Sequence, residues 1–125
     1  MHDEKRDRTT NGTGLLCEHT LDELRQFDAS AVMPGKVPFE PIPTLAESFE
    51  LVKDTPVITT IELKNTLIWS ARMEEKVIEM VRAYHLENRV IFSSFNHDYI
   101  APCKCLAPEF PCGFLYDCCL IHSAA

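Results

Sequence analysis

No run in this sequence approaches the ~20 consecutive apolar residues needed to cross a bilayer. Its first eight residues, Met1-His2-Asp3-Glu4-Lys5-Arg6-Asp7-Arg8, are too polar for a secretory signal. The chain is therefore expected to stay where it is made, in the cytoplasm. Glycine is scarce, with four in 125 residues, and no apolar run is followed by a glycine-rich phosphate loop, which argues against a doubly wound nucleotide-binding sheet. Basic residues are outnumbered, 12 against 19 acidic ones, for a net charge of −7; this excludes a nucleic-acid or anionic-membrane partner held by charge alone. Paired C-x-x-C modules are missing too. The six cysteines stand at 17, 103, 105, 112, 118 and 119, a distribution that fits neither a zinc module nor an evenly spread disulfide framework. They read as reduced thiols, several buried as small hydrophobes, with a metal site within residues 103 to 119 as the other reading.

What remains is a chain with 46% hydrophobic residues, enough to bury the core of one domain. The polar opening ends in Thr9-Thr10-Asn11-Gly12-Thr13-Gly14, whose Asn-Gly and second Gly tolerate positive φ and predict a loop. Thr20 with Glu23 forms a capping-box pattern ahead of Leu21, Leu24 and Phe27, predicting a short helix over 20–28. Prolines 34, 38, 41 and 43 make residues 31–43 an irregular surface loop. Thr44 with Glu47 repeats the capping box and opens a helix through about Lys53. Residues 68–86 put Trp69, Met73, Val77, Met80, Val81 and Tyr84 at helical spacing opposite Glu74, Glu75, Lys76, Glu79 and Arg82, with Asn88 as the stop. Residues 97–108 read as a helix broken by Pro102 and Pro108, with Ile100 and Leu106 facing inward.

Three short strand candidates alternate with these helices. Ile58-Thr59-Thr60-Ile61-Glu62-Leu63-Lys64-Asn65 starts β-branched and ends polar; Val90-Ile91-Phe92 runs into Ser93-Ser94-Phe95-Asn96; Gly113-Phe114-Leu115-Tyr116 is the third. Helix–strand alternation of this kind predicts parallel strands in an α/β fold, and polar groups at successive strand C-termini are how a β/α barrel builds its site. Glu62 and Lys64, two residues apart on a strand, project together, one suited to a hard divalent cation and the other to a phosphate. The plainer reading of the pair is a surface ion pair at a strand end. His2 beside Asp3 is a candidate acid or base, since imidazole titrates near neutrality and a carboxylate orients it; the alternative is an incidental surface histidine. Ser94 and Asn96 also stand near the strand ends, where a structural role is the simpler expectation.

The order His2-Asp3-Glu4, Asp7-Arg8-Thr9-Thr10-Asn11-Gly12-Thr13-Gly14, Leu24 to Ala29, Pro43-Thr44-Leu45, Ile61-Glu62-Leu63-Lys64 and Ser93-Ser94-Phe95 resembles the glycerophosphodiester phosphodiesterase family, from residue 2 to about Tyr116. The resemblance implies a β/α (TIM) barrel, with residues 5–43 in an insertion after the second strand and 44–121 as helix/strand units. It implies hydrolysis of a glycerophosphodiester to glycerol 3-phosphate and an alcohol with a divalent metal, Ca²⁺ or Mg²⁺. By the same resemblance His2 protonates the leaving alkoxide, Glu62 binds the metal and Lys64 faces the phosphate. The family's upstream His-Arg and Glu-x-Asp motifs are absent, as is its C-terminal tryptophan strand. The 125 residues amount to about half of a ~250-residue barrel, so the expectation is a partial barrel, truncated at both ends, with weak or no activity alone. Its open sheet edges invite self-association. A non-catalytic interaction protein built on that partial barrel is the alternative.

Overall fold

A computed structural model describes residues 3–64 and 72–117. His2, Asn65, Trp69, Cys118 and Cys119 therefore lie outside the described residues. The chain divides into two compact units, Met1–Leu51 and Val52–Ala125.

The first unit is built mainly from turns. Arg6 N–H donates to the Gly14 carbonyl and Leu16 N–H to the Glu4 carbonyl, closing the opening loop around an isolated bridge between Lys5 and Leu15. Gly14 uses its freedom at φ +96°. Gly12 does not: it is needed because a Cβ there would lie 2.5 Å from the Phe27 ring and 2.8 Å from Arg6 Nε. Asn11 acts through its side chain, whose Oδ1 accepts from Asp28 N–H at 2.8 Å. The helix expected over 20–28 is shorter. α1 covers Leu21–Leu24, with both arms of the Thr20–Glu23 capping box formed. Its Leu21 is exposed rather than inward. A 3₁₀ turn at Ala29–Val32 starts the proline-rich loop, capped by the Asp28 carboxylate. α2, Leu45–Val52, follows the second capping box: Thr44 N–H donates to Glu47 Oε2 at 2.8 Å, and Glu47 N–H donates to Thr44 Oγ1 at 3.2 Å. Phe49 on α2 is completely buried.

The second unit carries the sheet. β1 (Thr59–Glu62), β2 (Val90–Ser94) and β3 (Cys112–Phe114) run parallel in the order β1-β2-β3. α3 (Met73–Ala83) and α4 (His97–Leu106) make the two crossovers. Neighbours in space follow neighbours in sequence without reversal, as in a β/α barrel and unlike a doubly wound sheet. The register pairs Ile61 with Phe92 and Glu62 with Ser93, and Phe92 with Cys112 and Ser93 with Gly113. Successive side chains alternate between the two faces of a strand. Ile61, Leu63, Val90, Phe92 and Ser94 share one face and all are buried. Thr60, Glu62, Lys64, Ile91 and Ser93 share the other, which among the described residues is covered only in part. Phe92 meets Phe110 edge to face, ring centroids 5.2 Å apart.

Both helices differ from expectation. α3 ends at Ala83, short of the expected 86, and the stop is His85 rather than Asn88: His85 turns left-handed at φ 54° while Leu86 N–H reaches back to the Val81 carbonyl and His85 N–H to the Arg82 carbonyl. This is a Schellman ending with histidine where glycine is usual. Its buried face is Glu74, Ile78 and Val81, so Val77, Met80 and Tyr84 sit at the margin of the stripe and Glu74 is inside rather than on the polar side. α4 is continuous, with Pro102 within it. Proline there removes only the bond to the Asp98 carbonyl, and both ends of the helix are held by other bonds. Asn96 caps the start through Oδ1 on Asp98 N–H, and Ala107 N–H closes the end on the Cys103 carbonyl. Tyr99, Ile100, Cys103 and Ala107 are buried, whereas Leu106, expected inward, is exposed.

Candidate functional site

The site candidates lie where β1 and β2 end. β1 is a strand because four β-branched or threonine positions precede Glu62, and it stops where Leu63 leaves the ladder. Leu63 is nonetheless tied to β2 twice. Its N–H donates to the Ser93 carbonyl at 2.8 Å, and its carbonyl accepts from Ser94 Oγ at 2.7 Å. Ser94 Oγ in turn accepts from Asn96 N–H at 3.0 Å. Ser94 and Asn96 thus have the structural roles expected of them: one pins the residue between Glu62 and Lys64, and the other caps α4.

With Leu63 held, Glu62 and Lys64 emerge on the same face. Lys64 Nζ lies 3.4 Å from Glu62 Oε1, with the two side chains 31% and 25% exposed. A pair this open to water adds only about 0–1 kcal/mol to stability. Folding therefore gives little reason to place both charges there, and both remain reachable by a solute. Ser93, in register with Glu62 on that face, is 4% exposed. Its hydroxyl is buried without a hydrogen-bond partner. Sequence reasoning noticed Ser94 and passed over Ser93, because only the cross-strand register tells which of two adjacent serines shares the Glu62 face.

His2 lies outside the described residues. Arg8 holds both carboxylate oxygens of its neighbour Asp3, Nε to Oδ2 at 2.7 Å and Nη2 to Oδ1 at 3.1 Å. That contact raises the Arg8 pKa above its ordinary value.

Magnesium and calcium sites need about six converging oxygen donors. Among the described residues no group of three or more His, Cys, Asp or Glu is placed to hold a metal. Glu62 offers one carboxylate, with the Ser93 hydroxyl beside it in register. These residues do not by themselves fit a complete divalent site. The four described cysteines, Cys17, Cys103, Cys105 and Cys112, are free thiols.

Comparison with known proteins bears on this geometry. The model of the glycerophosphoryl diester phosphodiesterase family matches residues 1–118. A glycerophosphodiester phosphodiesterase of Caldanaerobacter subterraneus subsp. tengcongensis is 42% identical over 122 residues, 98% of this chain and 50% of that protein. One from Bacillus altitudinis is 38% identical over 116 residues, 92% of this chain and 47% of its own length. Among solved structures, an Oleispira antarctica phosphodiesterase in complex with the product sn-glycerol-3-phosphate superposes with a TM-score of 0.71 at 32% identity, covering 91% of this chain and 47% of that one. The glycerophosphodiester phosphodiesterase of Agrobacterium tumefaciens superposes with a TM-score of 0.74 at 25% identity, covering 90% and 46%. The chain spans about half the length of the curated relatives it matches.

Proposed function

Since the chain belongs to the glycerophosphoryl diester phosphodiesterase family, with the partial β/α-barrel fold of its relatives, we propose that it is a phosphoric diester hydrolase polypeptide, splitting a glycerophosphodiester into glycerol 3-phosphate and an alcohol. The observation that carries this reading is the Glu62–Lys64 pair, set 3.4 Å apart at the C-terminal end of β1, where a β/α barrel gathers its reactive groups.

In this proposal the Lys64 ammonium faces the phosphate and offsets the charge that builds on its oxygens as the ester bond breaks. His2 gives a proton to the departing alkoxide, so that the alcohol leaves neutral, while water supplies the new oxygen on phosphorus and gives up the proton that restores the imidazolium. Glu62 is assigned to the divalent metal, calcium or magnesium, that the resemblance implies; the other donors would have to come from beyond the described residues. Ser93 is a further candidate on the Glu62 face. We assign residues 5–43 to the family insertion and 44–121 to the barrel units, with the cytoplasm as the compartment. Among the described residues no helix is long and apolar enough to cross a membrane.

The second reading is a non-catalytic interaction protein that pairs its open sheet edges with another chain or another copy of itself. It is favoured by two observations among the described residues, the incomplete metal set and β1 and β3 each having one neighbour in the three-stranded sheet. One assay separates the two: glycerol 3-phosphate release from glycerophosphocholine by the folded chain, with and without Ca²⁺ or Mg²⁺, beside Glu62→Gln and Lys64→Met. Metal-dependent turnover lost in both variants supports the hydrolase. Absence of turnover from a folded sample moves this chain to the second reading.

A further inference from the structure

The second unit has another polar feature, whose described lining does not include the Glu62–Lys64 pair. Between the first turns of α3 and α4 lies a cleft of about 460 Å³ whose described lining includes Arg72, Glu74, Asp98, Tyr99, Pro102 and Leu106. Neither Glu62 nor Lys64 lines it, and it does not depend on the hydrolase reading.

Glu74 is the unusual member. Its side chain is carried inward on the same face of α3 as Ile78 and Val81, and the residue is 8% exposed. Its Oε1 is buried with no hydrogen-bond partner. A buried carboxylate oxygen left unpaired is costly, and such groups in folded proteins nearly always have a partner. The charges around it do not supply one. Arg72, the cation on the rim, is committed to Glu75, Nε to Oε2 at 2.5 Å. Asp98, in the first turn of α4, adds a second carboxylate. Tyr99 reports the resulting field: burial, then the charges of Glu74 and Asp98, raise its phenol pKa, so the hydroxyl stays protonated. The cleft is thus negative and holds an acceptor that lacks a donor. Its remaining wall, formed by Pro102, Leu106 and the Tyr99 ring, is apolar.

Each feature narrows the ligand. Negative charge selects a cation. Of the three carboxylates on the described lining Glu75 is paired with Arg72, and the two that are left, Glu74 and Asp98, are too few oxygens for calcium or magnesium. An unpaired acceptor requires an N–H or O–H, which a quaternary ammonium lacks. The apolar wall fits a short hydrocarbon stem. We propose that this cleft binds a small primary ammonium ion on a short aliphatic stem, the –NH₃⁺ donating to Glu74 beside Asp98 and the stem lying against Pro102 and Leu106.

The test is calorimetric titration of the full chain with propylamine hydrochloride, at constant ionic strength, beside tetramethylammonium chloride and calcium chloride. Saturable propylammonium binding is expected in the range of about 1 mM. It should weaken at least about tenfold in Glu74→Gln, because a charge-assisted hydrogen bond is lost. Asp98→Asn should weaken it by a smaller factor, and Glu79→Gln, which does not line the cleft, should leave it unchanged. Asp98 is exposed, so its variant keeps the test available if Glu74→Gln fails to fold. The proposal is overturned by no saturable binding to the folded chain up to about 50 mM, by equal binding in Glu74→Gln, or by tetramethylammonium or calcium binding as well as propylammonium does.

Discussion

Two adjacent serines at the end of β2 should respond oppositely to the same substitution. Ser94 is 1% exposed. Its hydroxyl donates to the Leu63 carbonyl at 2.7 Å and accepts from Asn96 N–H at 3.0 Å. Ser94→Ala keeps the side-chain volume nearly constant but strands the carbonyl of a residue that is itself 3% exposed, at a cost of about 1–3 kcal/mol. The Asn96 amide, nearer the surface, adds about 0.5–1 kcal/mol. The expected loss is therefore about 1.5–4 kcal/mol, or roughly 6–16 °C in melting temperature for a domain of this size. Ser93 is as deeply buried, yet its Oγ has no partner. Removing an oxygen that makes no hydrogen bond lifts a desolvation cost, so Ser93→Ala should leave stability unchanged or raise it by up to about 1 kcal/mol. Urea unfolding of the two variants beside the parent chain decides it. Losses within about 0.5 kcal/mol of each other would refute the hydrogen-bond assignment. In a catalytically active sample, Ser94→Ala should also lower turnover, since it loosens the backbone between Glu62 and Lys64.

Further outcomes follow from the same kind of reasoning. Arg6 is 7% exposed, stacks its guanidinium 4.2 Å from the Phe27 ring centroid, and leaves Nε and Nη1 buried without partners; Arg6→Met should unfold at equal or higher urea, because an apolar side chain of similar length removes the buried charge. Glu47 is held down to about 2, first by the Thr44 backbone N–H and then by Arg25 and the Thr44 hydroxyl. A depressed carboxylate stabilises above its ordinary 4.5 and loses that contribution as pH falls from there toward 2. Acid titration of the helical signal should thus show a step in that window that Glu47→Gln removes. Burial pushes the Cys103 thiol up to about 12, with Cys112 and Glu74 adding to the effect, while Cys17 and Cys105 are exposed. Iodoacetamide with peptide mapping should label Cys17 and Cys105 in the native chain and Cys103 only on unfolding.

What could be read from the sequence was local or periodic. Both capping boxes, Thr20 with Glu23 and Thr44 with Glu47, formed as written, because each is settled within four residues. The three parallel strands started within a residue of their expected positions, though β1 ends at Glu62 rather than running on to Asn65, since an apolar run of four or five residues with a polar end has few other uses. The misreadings came where a long-range contact outweighed a local rule. Pro102 was expected to break α4, but a proline costs one hydrogen bond, and the helix retains Tyr99, Ile100 and Cys103 in the core. The α3 stripe was drawn through Trp69, Met73, Val77, Met80, Val81 and Tyr84. Of these Val81 is buried as expected, but its companions on the inward face are Ile78 and Glu74, so the stripe is turned and Glu74 is carried inward. Asn88 was the expected stop because His85 is not an obvious left-handed residue, and its conformation is sustained by the bonds that Leu86 and His85 make back to Val81 and Arg82.

The candidate site obeys a division that the alternation of strand side chains imposes. One face of β1 and β2 carries Ile61, Leu63, Val90, Phe92 and Ser94, all buried; whatever stands there is constrained by packing against helices. The opposite face carries Glu62, Lys64 and Ser93, and there the Glu62 and Lys64 side chains keep 25% and 31% of their surface in water and can serve a ligand. The dipeptide Ser93-Ser94 straddles that division, which is why one hydroxyl is fully bonded and the next is not. The same logic explains why Glu62 and Lys64 flank Leu63: moving to adjacent positions would send one of them into the core. The spacing of two is therefore set by the strand, and the choice of a carboxylate and an amine at those two positions is what folding alone leaves unexplained. A Glu62→Leu, Lys64→Leu double variant should accordingly retain its stability to within about 1 kcal/mol by urea unfolding. A loss well beyond that would mean that the pair serves the fold, and the functional reading of this face would lose its premise.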